Sequence, residues 1–221
     1  MFGKKHRAAQ QAAQAAAAAQ HAAAHVALLE QCLEQARTFD GVTGTDAEAA
    51  SLLPLKKNER LVLVGQGAVL VEPRRAAGHW EGRSQGVSVP VPGLRGVRYR
   101  VGATHGTYVQ AEEAPTPIDT GTFTLTTTRA VFVGPKQTRE WDWSKLLGIT
   151  HAADAPWTSI AVSNRQKTSG VLYDAANEDV VRFNIDLAVA LYRGERAALV
   201  SQLEAELNAA HAGPPPAASS P

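Results

Sequence analysis

The chain has 221 residues, 44% hydrophobic and 19% charged, with a formal net charge of +1, an ordinary globular balance that excludes a whole-molecule electrostatic case for nucleic acid. Its one cysteine, Cys32, excludes an internal disulfide framework and fits a reducing compartment. No apolar run approaches the ~18 residues of a membrane span, and Ala15–Ala19 is shorter than the ~7 residues a signal-peptide core needs, so a cytoplasmic protein is expected.

From Lys4 to Asp40 there is no Gly or Pro, and Ala, Gln, Leu and Glu dominate. These residues lose little entropy in a helix, so one long helix of about 50 Å is expected, ended by Gly41 and Gly44. A heptad runs through Ala8, Ala12, Ala15, Ala19, Ala22, Val26, Leu29, Leu33 and Ala36. Self-association along that seam and an unpartnered low-complexity helix both fit it. Few bulky apolar residues precede Val26, so the helix offers little area to bury. Residues 41–57 then read as a linker, and the chain from Asn58 to about residue 210 is expected to fold alone.

Between about Asn58 and Asp186 short runs of β-branched and aromatic residues alternate with Gly, Pro, Asn and Asp. Candidate strands are Leu61–Val64, Ala68–Val71, Val87–Val91, Val97–Val101, Thr122–Thr126, Ala130–Val133, Arg139–Trp143, Gly148–His151, Ser159–Ser163, Val171–Tyr173 and Val180–Asn184. Turns at Pro92-Gly93 and Pro135 separate some of them. Strands in series without helices between them argue for an antiparallel barrel or sandwich. After Asp186 the spacing of Leu187, Leu191, Leu199, Leu203 and Leu207 is helical, with Gly194 as an interruption or a bend. Residues 211–221, rich in Pro, Ala and Ser, read as a disordered tail.

Charge is unevenly spread. Between Lys56 and Arg100 nine basic residues face only Glu59, Glu72 and Glu81, a net of +6. From Val171 to His211 seven acids outnumber Arg182, Arg193 and Arg196, a net of −4. Such asymmetry can steer a partner, or be a solvated surface.

Motifs with catalytic associations lack their context. Leu61–Gly67 runs into G-x-G as a dinucleotide fingerprint does, but Leu70 stands where the third glycine belongs and Pro73 blocks the helix, so a hairpin turn is expected at Gly65–Gly67. Gly82-Arg83-Ser84-Gln85-Gly86 matches G-x-S-x-G, but an extended, Pro-broken segment follows instead of a helix, and a polar turn is expected. Lys167-Thr168-Ser169-Gly170 is close to K-T-G without any S-x-x-K. His79, His105 and His151 are scattered, and His151 with Asp154 lacks a third ligand. No catalytic residue, cofactor or metal is expected.

The most specific stretch runs from Gly121-Thr-Phe-Thr-Leu-Thr126 through Thr127-Thr128-Arg129 and Ala-Val-Phe132-Val-Gly134 to Arg139-Glu-Trp-Asp-Trp-Ser-Lys-Leu-Leu147. It resembles the signature hairpin of bacterial pleckstrin-homology-like and GRAM domains, a Thr-x-x-Arg turn between two alternating strands. The resemblance covers about Val97 to Asn208 and implies an antiparallel β-barrel whose open end is plugged by a C-terminal helix. It also implies a non-enzymatic binding role, since such domains take phosphoinositides, other lipids, peptides or partner proteins. The dense basic loop of a strong phosphoinositide site has no counterpart between the first core strands here. Trp141 and Trp143, two apart, are expected on one side, in the core.

The best remaining site candidate is the loop Ser163–Gly170, where Arg165, Lys167, Thr168 and Ser169 combine cations with directional donors suited to an anion. Lys4, Lys5, Arg7, Arg98 and Arg100 are candidates for recruitment to an anionic surface. The expected function is protein–protein scaffolding with the N-terminal helix as an oligomerisation element; the alternative is peripheral attachment to anionic membrane lipid. No nucleic-acid partner is expected.

Overall fold

The computed structural model describes residues 2–42, 53–75, 79–84, 87–90, 98–101, 104–109 and 113–212. Helix α1 (Phe2–Thr38) is one uninterrupted helix, as its composition requires. Thr38 Oγ1 donates to the carbonyl of Glu34 at 2.8 Å and Phe39 N–H to that of Gln35 at 2.9 Å. Gly41, at φ +103°, then turns the chain, and Val42 N–H meets the Leu61 carbonyl at 2.8 Å, handing it to the sheet.

The strands are β1 (Leu61–Arg75), β2 (His79–Ser84), β3 (Val87–Pro90), β4 (Arg98–Val101), β5 (Thr104–Val109), β6 (Glu113–Thr126), β7 (Arg129–Val133), β8 (Thr138–Asp142), β9 (Leu146–His151), β10 (Trp157–Val162) and β11 (Ser169–Leu172). Seven form an antiparallel sheet in the order β8-β7-β6-β1-β11-β10-β9. The ladder is open: β8 and β9 are its two ends, joined through the single 3-10 turn Trp143–Lys145, so a closed barrel is not what forms. The sheet is nevertheless strongly curled. Trp141 on β8 donates Nε1–H to Ser169 Oγ on β11 at 3.1 Å, although four strand spacings of ~4.8 Å would separate them in a flat sheet.

Inside the curl lie Phe123, Leu125, Phe132, Trp141, Trp143, Ile160 and Val171, all buried. Phe123 and Trp141 meet edge to face with ring centres 6.3 Å apart. Helices α2 (Glu178–Arg193) and α3 (Arg196–Ala212) complete the core. Gly194, at φ +73°, ends α2, with its own N–H on the Leu191 carbonyl and that of Glu195 on the Ala190 carbonyl, and sends the chain back as α3.

Four expectations are corrected. Gly65–Gly67 is no hairpin turn: β1 is one strand, and Gly67 at φ +73° sits in a bulge that adds a residue between Gly65 and Ala68. The extra residue moves the inward positions from Leu63 to Ala68 and Leu70, which broke the alternation on which a one-strand reading depends. Gly82–Ser84 is not a turn but part of β2; Gln85, Gly86, the Pro92-Gly93 turn and Ala217–Pro221 lie outside the described residues. Val180–Asn184 is not a strand but the start of α2, where Glu178 and Asp179 favour a helix N-terminus and Val181, Ile185 and Ala188 recur at helical spacing on the buried side. His211 and Ala212, expected in the tail, are helical.

The premise that α1 buries little fails for its last third. Leu29, Cys32, Leu33, Ala36 and the following Phe39 are buried in the same apolar cluster as the sheet, whereas Ala12 to His25 are exposed. Burial pushes the Cys32 thiol up to about 11, aided by Asp179 and Glu206. Polar contacts lock this end: Gln35 Nε2 donates to Asn184 Oδ1 at 2.9 Å, Arg37 pairs with Glu204 at 2.6 Å, and Arg196 donates to the Phe39 carbonyl at 2.5 Å.

Candidate functional site: a cation-lined cavity at the root of a two-stranded ribbon

The Thr126–Arg129 turn is a structural corner. Glu59 has no exposed side-chain area, and its carboxylate accepts from Thr126 Oγ1 at 2.6 Å, Thr128 Oγ1 at 2.8 Å, Lys56 N–H at 2.7 Å and Arg129 Nε at 2.9 Å. Burial alone would raise this carboxyl, but the donors, Arg129 foremost, outweigh it and hold Glu59 at about 2. Arg129 is satisfied in turn by Glu140 Oε2 at 3.2 Å and the Pro54 carbonyl at 3.0 Å. No group here is left over for a ligand.

The other end of β1 differs. β1 and β6 pair as Arg75↔Glu113, and the same register carries on through His79↔Val109, Ser84↔Thr104, Val87↔Val101 and Pro90↔Arg98. β11 flanks β1 only at Val69–Val71 and β7 flanks β6 only at Thr122–Leu125. Beyond Val71 the described strands therefore pair two by two, as a ribbon with no third strand beside it among the described residues. Residues 72–116 carry six arginines against Glu72, Glu81, Glu112 and Glu113, a net of +2. The backbone register pairs Val87 with Val101, Ser88 with Arg100, Val89 with Tyr99 and Pro90 with Arg98.

At the ribbon's root the loop between β10 and β11 comes in. Lys167 Nζ pairs with Glu113 at 2.9 Å, and Arg75 Nε reaches the same oxygen at 3.3 Å. Hydrogen-bonded to Lys167 and near Arg75, the Glu113 carboxyl lies below its usual range. Beside this bridge is a cavity of about 410 Å³ lined by Glu72, Arg139, Arg165, Gln166, Lys167 and Ser169. Arg139 is paired with Glu72 at 2.6 Å. Arg165 Nη1 is closed to solvent and has no hydrogen-bond partner among the described residues. Burial, and then the neighbouring Arg139, push the Arg165 guanidinium below its usual range, against the pull of Glu72 and Glu140.

Of the loop residues singled out in the sequence, Arg165, Lys167 and Ser169 thus meet in one cavity. Thr168 is exposed and outside its lining. Arg98 and Arg100 lie on β4 of the ribbon that starts there, whereas Lys4, Lys5 and Arg7 lie on the first turns of α1, with Arg7 exposed. Gln166 of the same loop also lines the cavity, whereas Arg139, Glu72 and Glu113 were missed. These three stand on separate strands, and only the pairing order β8-β7-β6-β1 brings them together; the register of a Glu with an Arg three strands away leaves no mark in sequence.

The remaining motifs find structural roles. Ser169 of Lys167–Gly170 is buried against Trp141. His151 joins Thr158 Oγ1 at 2.8 Å and Asp186 Oδ1 at 3.3 Å, an order that looks like a nucleophile relay, but Thr158 is fully buried and also bonded to Tyr173 OH at 2.9 Å, closed to any substrate. Among the described residues no group of three His, Cys, Asp or Glu is placed to hold a metal, and no helix is long and apolar enough to cross a membrane. Comparison of the chain with protein-family models, curated proteins and solved structures finds no match in any of the three.

Proposed function

We propose that this chain is a non-enzymatic recognition module, of the pleckstrin-homology-like kind that its hairpin resembles, and that it attaches to an anionic bilayer surface through the basic ribbon. One observation carries the reading: a two-stranded ribbon flanked by no third strand among the described residues, in a stretch, residues 72–116, whose six arginines outnumber its four acids. Isolated two-stranded ribbons are marginal in water, so a surface that binds this one also stabilises it. Each cation near an anionic leaflet contributes ~1 kcal/mol. A bilayer fits better than nucleic acid because β3 and β4 carry Val87, Val89, Tyr99 and Val101 among their residues, apolar content that a phosphate backbone does not use. Protein–protein scaffolding is the second reading, favoured by the exposed stretch Ala12–His25 of α1, which leaves a helix face for a second copy.

Co-sedimentation with anionic vesicles at low and at physiological salt tests the first reading. Wild type should pellet at low salt and less so at ~0.15 M, where the Debye length is ~8 Å. Arg98→Ser with Arg100→Ser should weaken binding by about ten- to thirtyfold, from ~2 kcal/mol. Wild type left in the supernatant at low salt defeats recruitment by charge and leaves scaffolding; capture by duplex DNA in preference to vesicles would replace the bilayer with nucleic acid.

A further inference from the structure

The geometry points to the cavity between Arg139, Arg165, Lys167 and Ser169 as a binding site for a phosphate monoester. This deepens the surface-binding reading but stands on other residues. Three cations and one carboxylate line the cavity, and with Glu113, the partner of Lys167, the cluster keeps one positive charge in excess. Two cations are engaged, Arg139 with Glu72 and Lys167 with Glu113. Arg165 forms no ion pair among the described residues, and its Nη1 is sealed from solvent without a hydrogen bond. A fold keeps a half-buried guanidinium without an ion pair only at a cost, larger still with Arg139 beside it, and an oxyanion in the cavity would offset the charge part of that cost, while Nη1 itself stays sealed.

The donors suit a tetrahedral oxyanion. A guanidinium grips two oxygens in a fork, and an ammonium on the rim, here Lys167, takes a third as a point charge. Ser169 Oγ already accepts from Trp141 Nε1 at 3.1 Å, so its own proton is the part of the hydroxyl suited to an incoming acceptor. Gln166 adds an amide. A carboxylate, with two oxygens, meets fewer of these donors. Glu72 also faces the cavity and opposes any anion, and its pairing with Arg139 blunts that opposition. A volume of about 410 Å³ holds a phosphate and the first atoms of the group carrying it.

Thermal unfolding of the full chain in inorganic phosphate, against chloride at equal ionic strength, reads the site directly. Phosphate should raise the melting temperature of wild type beyond the chloride control. Its apparent affinity should fall at least about tenfold in Arg165→Gln and about threefold in Lys167→Gln. In chloride alone Arg165→Gln should melt no lower than wild type, since it loses an unpartnered charge. Equal phosphate effects in wild type and Arg165→Gln overturn the site; so does no effect up to about 20 mM phosphate, or a variant that melts several degrees lower in chloride. Vesicles with and without phosphatidic acid separate the sources of the ester. Extra binding to phosphatidic acid that Arg165→Gln abolishes assigns the site to a lipid headgroup, and a phosphate effect without it assigns a soluble ester. Vesicle binding through the ribbon with no phosphate effect sinks this site and leaves the surface reading standing; the converse result sinks the surface reading alone.

Discussion

The two ends of β1 each hold an arginine, and they treat it in opposite ways. Near Leu61, Arg129 keeps 8% of its side-chain area exposed and makes four hydrogen bonds, two to Glu59 and one each to Glu140 and the Pro54 carbonyl. Near Glu72, Arg165 is half-buried and its Nη1 makes none among the described residues. The first end is also where α1 docks, through Val42 and Leu61 and through the Arg60–Asp40 pair. The second is where the sheet thins to two strands. A buried charge with each of its nitrogens hydrogen-bonded holds a fold together; one with a nitrogen unmatched adds less to it.

The largest effect expected concerns the docked end. Deleting residues 2–43 removes Leu29, Leu33 and Phe39, each worth about 1.5–3 kcal/mol on burial, and should abolish or severely lower the cooperative melt. Deleting only residues 2–24 should change stability by less than ~0.5 kcal/mol, since that stretch is exposed wherever its side chains are described. Equal effects would remove the distinction between the two parts of α1. Next, Trp141→Ala should cost ~3–5 kcal/mol in denaturant unfolding, because it empties the centre of the curl and orphans Ser169. A cost below ~1 kcal/mol would mean that the sheet does not curl as described.

Acid should unpick the same end first. Glu59 titrates at about 2 in the fold against an ordinary carboxylate near 4.5, so the folded state binds its proton less readily than the unfolded chain. Its stabilisation is complete above ~4.5 and is lost as pH falls from there towards ~2. Unfolding free energy followed over that window should slope downward with falling pH, and Glu59→Gln should flatten the slope. An unchanged slope would show that the carboxylate is not held by its donors.

Much of the fold was legible locally. α1 followed from a Gly- and Pro-free run, and the Thr122–Trp143 region from alternation, with Phe123, Leu125, Phe132 and Trp141 buried as their positions implied. What failed were windows where local signals conflicted. Val180-Val181-Arg182-Phe183-Asn184 has strand-like content inside a helical period, and Gly65-Gln66-Gly67 looks like a turn within a single strand. The site was half legible. Arg165, Lys167 and Ser169 share one loop and could be found by inspection, whereas Arg139 and Glu72 needed the strand order. Glu59, read as one of three acids opposing a basic segment, gave no sign of being a buried counterion 70 residues from Arg129.

Equilibrium unfolding of Arg129→Met beside Arg165→Met tests the contrast between the two ends most directly. Arg129→Met strands Glu59 as an uncompensated buried carboxylate and should lose ~3–5 kcal/mol. Arg165→Met keeps most of the apolar stem and discards an unmatched charge, so it should stay within ~0.5 kcal/mol of wild type or gain stability. A loss above ~2 kcal/mol in Arg165→Met, comparable to that in Arg129→Met, would show that Arg165 is as much a part of the scaffold as Arg129 and would contradict the account.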